Sequence, residues 1–238
     1  MPVMLGVNVD HVATLRQARG LNFPDPVEAA RLCAKAGADM VVCHLRGDRR
    51  HIQDSDVLRL KKHSGLPVHL EMSCSAEMER IALRIKPASV CLVPEAPDEK
   101  TTQGGLDLSG RNLVRVQALA RKLKKAGIEV SIFADADAAS VRACKKVGAD
   151  TVELCTKAYA EAATRKKLEA ELEKLAIASV LVRELGMHLH SGHGLDYCNV
   201  TPVARIPGME CLNIGFSIIS RGVFEGLGNA VSEMKGLI

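Results

Sequence analysis

Tryptophan is absent from this 238-residue chain, and all aromatic residues together make up only 3% of it. Bases would find little to stack on, and 32 basic against 28 acidic residues leave a net +4, too mild a surplus to mark a nucleic-acid surface. Small anionic substrates stay within reach of such a charge balance. The one dense basic run, "RKLKKAG" at 121 to 127, reads as the solvated face of a helix. No C-x-x-C pair occurs among the eight cysteines, and Cys43, Cys91, Cys155 and Cys211 sit inside apolar runs, so they read as reduced core thiols and not as disulfides or metal ligands. No run of eighteen apolar residues appears, and the N-terminus lacks a basic segment followed by an apolar stretch. Neither a membrane span nor a signal peptide is expected, and a cytoplasmic location is.

What the chain does have is alternation. Short β-rich runs recur at 4 to 10, 40 to 45, 67 to 72, 89 to 94, 130 to 135, 151 to 156, 187 to 192 and 211 to 216. Between them lie stretches such as "PVEAARLCAKAGA" and "SAEMERIALRIK", in which apolar residues return every three or four positions. Gly37, Gly127, Gly148 and Gly186 follow helical runs and precede strands, where a left-handed cap is wanted. "AGADMVV" and "VGADTVEL" are near copies of that junction. Eight such units predict a closed (β/α)8 barrel, with residues 1–238 as one domain. A doubly wound sheet would want a Gly-rich turn after its first strand, and "VNVDHVATLR" has none. The long polar loop at 95 to 112, with its paired glycines, reads as a lid over the barrel mouth.

Barrels keep their chemistry at the C-terminal ends of the strands, and reactive groups collect there. Strand one ends in Asn8, Asp10 and His11; strand two in His44 and Arg46, followed by Arg49, Arg50 and His51; strand three delivers Glu71, strand six Glu153, strand seven His193 and strand eight Gly215. A single His or Glu near a strand end is more often a satisfied structural group. Their coincidence on one rim favours a site. Gly192 and Gly194 flank His193, and Gly215 precedes a helix, so backbone N–H groups at both turns can approach a phosphate. Arg46 is the better placed of the three arginines to hold a second phosphate, since Arg49 and Arg50 read equally well as a solvated loop. His44, Glu71 and His193 supply proton donors and acceptors, provided burial raises the Glu71 pKa. The rival reading is a metal-dependent barrel hydrolase acting on a phosphorylated substrate, because "HLH" at 188 to 190 puts two rings on one face and His69 shares a face with Glu71. Such hydrolases usually carry that pair on strand one, which here reads "NVD", so no metal is expected. A non-catalytic phosphate-ligand sensor would leave three acid/base groups without a use.

"GVNVDHVATLRQARG", "HLRGDRRHI", "LEM", "CLVPE", "TTQGGLD", "GHGLDY" and "LNIG" occur in the order found in the pyridoxine 5′-phosphate synthase family, and the resemblance covers nearly the whole chain. It implies a cytosolic (β/α)8 barrel with extra helices, assembled as a homo-octamer and using no metal or organic cofactor. The implied reaction condenses 3-amino-2-oxopropyl phosphate with 1-deoxy-D-xylulose 5-phosphate, closing a pyridine ring and releasing phosphate and water. Carried over by motif, Asn8, Gly194, Gly215 and Phe216 would hold the amino-ketone phosphate. Asp10, His11, Arg19, Arg46, His51 and Thr101 would hold the pentulose phosphate. The resemblance makes His44 and Glu71 proton acceptors, His193 a proton donor and Glu153 the group that orients the amine. The family pattern has His after "NIG" where this chain has Phe216, so a side-chain role there does not transfer.

Overall fold

A computed structural model describes residues 2–95 and 104–238. Eight parallel strands close into a barrel in chain order: β1 (Met4–Asn8), β2 (Met40–His44), β3 (Val68–Met72), β4 (Ser89–Leu92), β5 (Glu129–Ala134), β6 (Thr151–Cys155), β7 (His188–Gly192) and β8 (Cys211–Ile214), with β8 pairing back onto β1. Helices fill every crossover: α1 (Asp10–Arg19) and α2 (Pro26–Lys35), α3 (Asp54–His63), α4 (Ala76–Ile85), α5 (Gly110–Lys125), α6 (Ala138–Val147), α7 (Lys157–Ala160) and α8 (Arg165–Glu184), α9 (Val200–Ala204), then α10 (Phe216–Glu225) and α11 (Leu227–Gly236). The expected (β/α)8 barrel with extra helices is therefore present, and the doubled helices fall after β1, β6 and β8.

The helices start where the sequence supplies caps. Asp25 accepts from Val27 N–H, Ser75 from Met78 N–H, Asp137 from Ala139 and Ser140, and Thr164 from Lys167. The near-copy junctions perform one task twice. Gly37 and Gly148 adopt φ of 99° and 85°, and the aspartate two residues later reaches back to the preceding strand. Asp39 accepts from Leu5 N–H at 2.7 Å and Asp150 from Val130 N–H at 3.1 Å, and each is paired with a lysine, Lys235 and Lys124 respectively. The basic run on α5 lies as expected, with Leu123 buried and Arg121, Lys122, Lys124 and Lys125 exposed.

Strand alternation divides the core in two. Leu5, Val7, Val41, Leu70, Val90, Ile132, Val152 and Leu189 face outward and pack with Val27, Leu60, Met78, Leu123, Val141 and Val182 of the helices in one apolar layer. Many of the inward positions are small or polar, with Val42 and Phe133 among the exceptions. His69 of β3 lies 3.5 Å from Glu153 of β6, two strands that are not neighbours, so both side chains point into the barrel. All eight cysteines are free, and Cys91 shares a small interior cluster with Val93, Phe133 and Cys155.

Candidate active site

The rim is assembled from the ends of the strands. β1 stops at Asn8, two residues short of the expected boundary, because the Asn8 side chain takes over the next contacts. Its Oδ1 accepts from Asp10 N–H at 2.8 Å and its Nδ2 donates to Asp10 Oδ2 at 3.0 Å, so Asp10 opens α1. Asp10 Oδ1 then accepts from His44 N–H at 2.8 Å, tying the first helix to the end of β2. The β2–β3 register sets His44 beside Glu71. One acid/base atom from each of Asp10, His44 and Glu71 lies within 4.8 Å of the others.

The loop after β2 divides its basic residues. Arg49 donates to Asp54 at 2.7 Å and is also paired with Glu77, while Arg50 is paired with Asp48 at 2.6 Å. Arg46 is buried at 4% exposure with Asp48 3.3 Å away. His51 is fixed from below: buried Arg16 forms a two-pronged pair with Asp56 at 2.7 and 2.8 Å and donates to the His51 carbonyl at 3.1 Å. The His51 ring accepts from Ile52 N–H through Nδ1, and burial lowers its pKa, so in the neutral ring Nε2 carries the proton as a donor.

Next to β1, at the end of β8, Gly215 begins α10 without a side-chain cap, leaving the first amides of that helix as donors at the rim. A Cβ on Gly215 would sit 2.9 Å from Asn8 Cβ, so β8 and β1 meet here only because the side chain is missing. Exposed Phe216 packs edge-on against His11, ring centroids 5.2 Å apart. His193 takes φ of 84°, the left-handed region, and Gly194 follows at 78°. The Thr156 hydroxyl grips this turn by donating to the carbonyls of Gly192 and His193 at 2.7 and 2.6 Å. A non-glycine residue held there costs of order 1 kcal/mol, and such strain concentrates at functional sites.

Two carboxyl groups on the floor are pushed apart. Burial raises Glu71 well above the ordinary carboxylate range, and the negative charges of Glu153 and Asp10 raise it further. Burial also acts upward on Glu153, but the nearby His69 and His190 rings and the Asn213 amide outweigh it and hold this carboxyl low. His11 and His193 are both lowered, chiefly by burial.

Not every expected residue joins this group. Arg19 is exposed in the last turn of α1, about 13 Å along the helix from Asp10. Thr101 lies outside the described residues, as do 96–103 of the proposed lid. The described part of that loop is anchored: Gly105 N–H donates to Asp135 at 2.8 Å, Leu106 N–H donates to the Phe133 carbonyl at 2.8 Å, and α5 already begins at Gly110. The paired histidines of "HLH" separate along β7, with His188 exposed and 2.8 Å from Glu210 while His190 is buried in the barrel, its pKa pushed down to about 4 by burial and by His69. The groups of His, Cys and carboxylate close enough to hold an ion are Asp10–His44–Glu71 and His69–Cys91–Glu153 among the described residues.

Two residues of the site escape a reading of strand ends by type alone. Glu95, just past β4, places Oε2 3.6 Å from His44 Nε2 and accepts from Gly47 N–H at 2.8 Å. The signal is the acid closing "CLVPE", just past the end of a strand. Asn213, inside "LNIG", donates to Glu153 at 2.7 Å past β7.

Residues 5–238 match the family model described as "Pyridoxal phosphate biosynthesis protein PdxJ". The chain is 54% identical over 99% of its length to the pyridoxine 5′-phosphate synthase of Elusimicrobium minutum, of which it covers 97%, and 52% identical over 98% to that of Photobacterium profundum, of which it covers 96%. Among solved structures, 3-hexulose-6-phosphate synthase superposes with a TM-score of 0.66 over 99% of this chain and all of the other at 16% identity, a likeness of fold alone.

Proposed function

This chain belongs to the PdxJ family of pyridoxal phosphate biosynthesis proteins, and from that membership and the geometry of the rim we infer that it is a pyridoxine 5′-phosphate synthase, an enzyme of vitamin B6 biosynthesis. It condenses 3-amino-2-oxopropyl phosphate with 1-deoxy-D-xylulose 5-phosphate, closes the pyridine ring, and releases phosphate and water. The observation that carries the mechanism is the Asp10–His44–Glu71 cluster, three acid/base groups within 4.8 Å beside an open helix start on the neighbouring strand end.

The amino-ketone phosphate lies against the first amides of α10, with Asn8, Gly194, Gly215 and Phe216 around it; the uncapped helix start supports this. The pentulose phosphate is held by Asp10, His11, Arg46 and His51, with Thr101 as a further ligand, while Arg19 stays outside this set at the far end of α1; the His51 Nε2 donor and the buried Arg46 guanidinium support it. Glu153 takes the substrate's ammonium group. In the empty enzyme burial first, and then the charges of Glu153 and Asp10, push the Glu71 pKa up. An ammonium docked on Glu153 cancels part of that field, so Glu71 becomes a base once the amine is bound. His44 is the second acceptor, and His193 returns a proton to a departing oxygen. The chain works as one barrel domain in the cytoplasm, without metal or organic cofactor, as a homo-octamer. Exposed Phe23, Val223 and Phe224 support burial against further copies, and no described helix is long and apolar enough to cross a membrane. Incubating purified protein with both substrates and a chelator tests the reading: pyridoxine 5′-phosphate and inorganic phosphate should appear together, and turnover that needs an added divalent ion would overturn the metal-free mechanism.

A further inference from the structure

Asn213 belongs by sequence to the turn that leads into Gly215, but its side chain does not go to the turn. β8 exposes Leu212 and Ile214 to the outer apolar layer and sends Asn213 inward, where Nδ2 donates to Glu153 Oε2 at 2.7 Å. Between β8 and β6 stands β7, and at the level of this bond β7 carries Gly192, which pairs in register with Asn213. A Cβ on Gly192 would fall 2.6 Å from Glu153 Oε1 and 2.9 Å from the Asn213 carbonyl. On the other side, β1 pairs Gly6 with Asn213, and a Cβ there would overlap Asn213 Oδ1 at 2.1 Å. Neither glycine has a positive φ, so what both positions require is space. Two strands give up a side chain so that one amide can reach past β7 and hold one carboxylate.

We propose that Asn213 is a positioning residue for the reaction: it clamps Oε2 of Glu153 and so fixes where Oε1 meets the amine of the substrate. This rests on the reading of Glu153 as the amine's partner. His69 stands beside the same oxygen from β3, with Nε2 3.5 Å from Oε2 and Nδ1 2.6 Å from Ser89 Oγ. Besides His69, Glu153 faces Glu71 on β3, Cys91 on β4, and His190 and His193 on β7, with Asp10 bearing on the same floor through Glu71. A carboxylate that can swing among these neighbours offers the amine no fixed direction. Bonded by the amide, it offers one, and the bond favours its charged form.

The test is steady-state kinetics and pH profiles of Asn213→Ala and Asn213→Asp, alone and combined with Glu153→Gln. Asn213→Ala should raise KM for the amino-ketone phosphate or lower kcat by about tenfold, leave KM for the pentulose phosphate within about twofold, and move the acid limb of kcat/KM up by about one pH unit, the scale of one charge-assisted hydrogen bond. In a Glu153→Gln background the same change should have less than about a twofold effect, because the group it acts through is gone. Asn213→Asp preserves volume and sets two carboxylates side by side; its deficit should be largest at pH 8 and shrink toward pH 6 as the pair takes up a proton. This variant carries the test if the alanine variant fails to fold. An unimpaired Glu153→Gln would overturn the amine reading and this proposal together. An impaired Glu153→Gln with losses from Asn213→Ala that simply multiply onto it, or an Asn213→Asp enzyme with a wild-type pH profile, would overturn the positioning role alone.

Discussion

Leu70 and Glu71 are neighbours on β3 and belong to different environments. Leu70 points outward into an aliphatic layer in which it has no solvent exposure; Glu71 points inward among Asp10, Glu153 and His44. The same division runs round the sheet. Outside, side chains are interchangeable in kind, and stability comes from area removed from water and from close packing. Inside, polar groups are held by specific partners: His69 by Ser89, Asn213 by Glu153, Thr151 by Glu129. The outer face makes the barrel stable, and the inner face uses part of that stability to keep charges in places they would otherwise leave.

Separating the two faces by mutation sharpens the contrast. Leu70→Ala removes buried aliphatic atoms from a layer that cannot fully collapse around the gap, so urea unfolding should show a loss of about 2–5 kcal/mol, while kcat per folded molecule stays within about twofold. A large fall in kcat at unchanged fold would mean the outer layer sets the geometry of the site more directly than its chemistry suggests. Glu71→Gln should do the reverse, lowering turnover by about a hundredfold or more while raising stability. The folded carboxyl is shifted up from 4.5, so above that pH the unfolded chain releases a proton the native state retains, and native stability falls as pH rises toward the folded pKa. Glutamine lacks this penalty. Its advantage should be small near pH 5 and grow by about 1.4 kcal/mol per pH unit until the native Glu71 ionises. Removing that slope also exposes the opposite one from His190, whose pKa falls from 6.5 to about 4 on folding, so the variant should lose stability on acidification through that window. Equal stability of variant and parent at pH 5 and pH 8 would remove the electrostatic account of Glu71.

The outer face was the legible one. Aliphatics at every second position and helices at the 3.6-residue period are local patterns, so all eight strands were readable to within about two residues. The rim was legible by the rule that barrel chemistry gathers at strand ends, which found Asp10, His44 and Glu71 without any knowledge of distance. Partners far apart in sequence were not. Nothing local says that Arg49 belongs to Glu77, 28 residues on, or that Asn213 belongs to Glu153, 60 residues back. The approach of Glu95 to His44 is set by the course of the chain after β4, and the Asn213 side chain leaves the contiguous "LNIG" motif for another strand, so neither contact is local.

Where the inner face meets the rim, Gly215 and Phe216 divide backbone from side chain. Gly215→Val would drive a branched side chain into Asn8 and into the space before the first α10 amides, shifting the β1–β8 junction locally within a retained barrel, so affinity for the amino-ketone phosphate should fall at least about tenfold, roughly 1.4 kcal/mol. Isothermal titration with that substrate alone would read it, and unchanged affinity would mean that phosphate sits elsewhere.

Phe216→His should have the smallest effect. The side chain is 69% exposed, and its contact is the edge-on packing against His11, which an imidazole of similar outline can repeat. If phosphate is held by backbone amides, KM for the amino-ketone phosphate should change by less than about threefold. Phe216→Ala supplies the control, because it leaves the amides intact but removes a ring contact worth about 0.5–1.5 kcal/mol. Its loss should fall on the pentulose phosphate through a loosened His11, not on the amino-ketone phosphate. A large change in amino-ketone affinity with Phe216→His, together with a harmless Gly215→Val, would transfer the phosphate from the helix start to the side chain and reverse the division between backbone and ring.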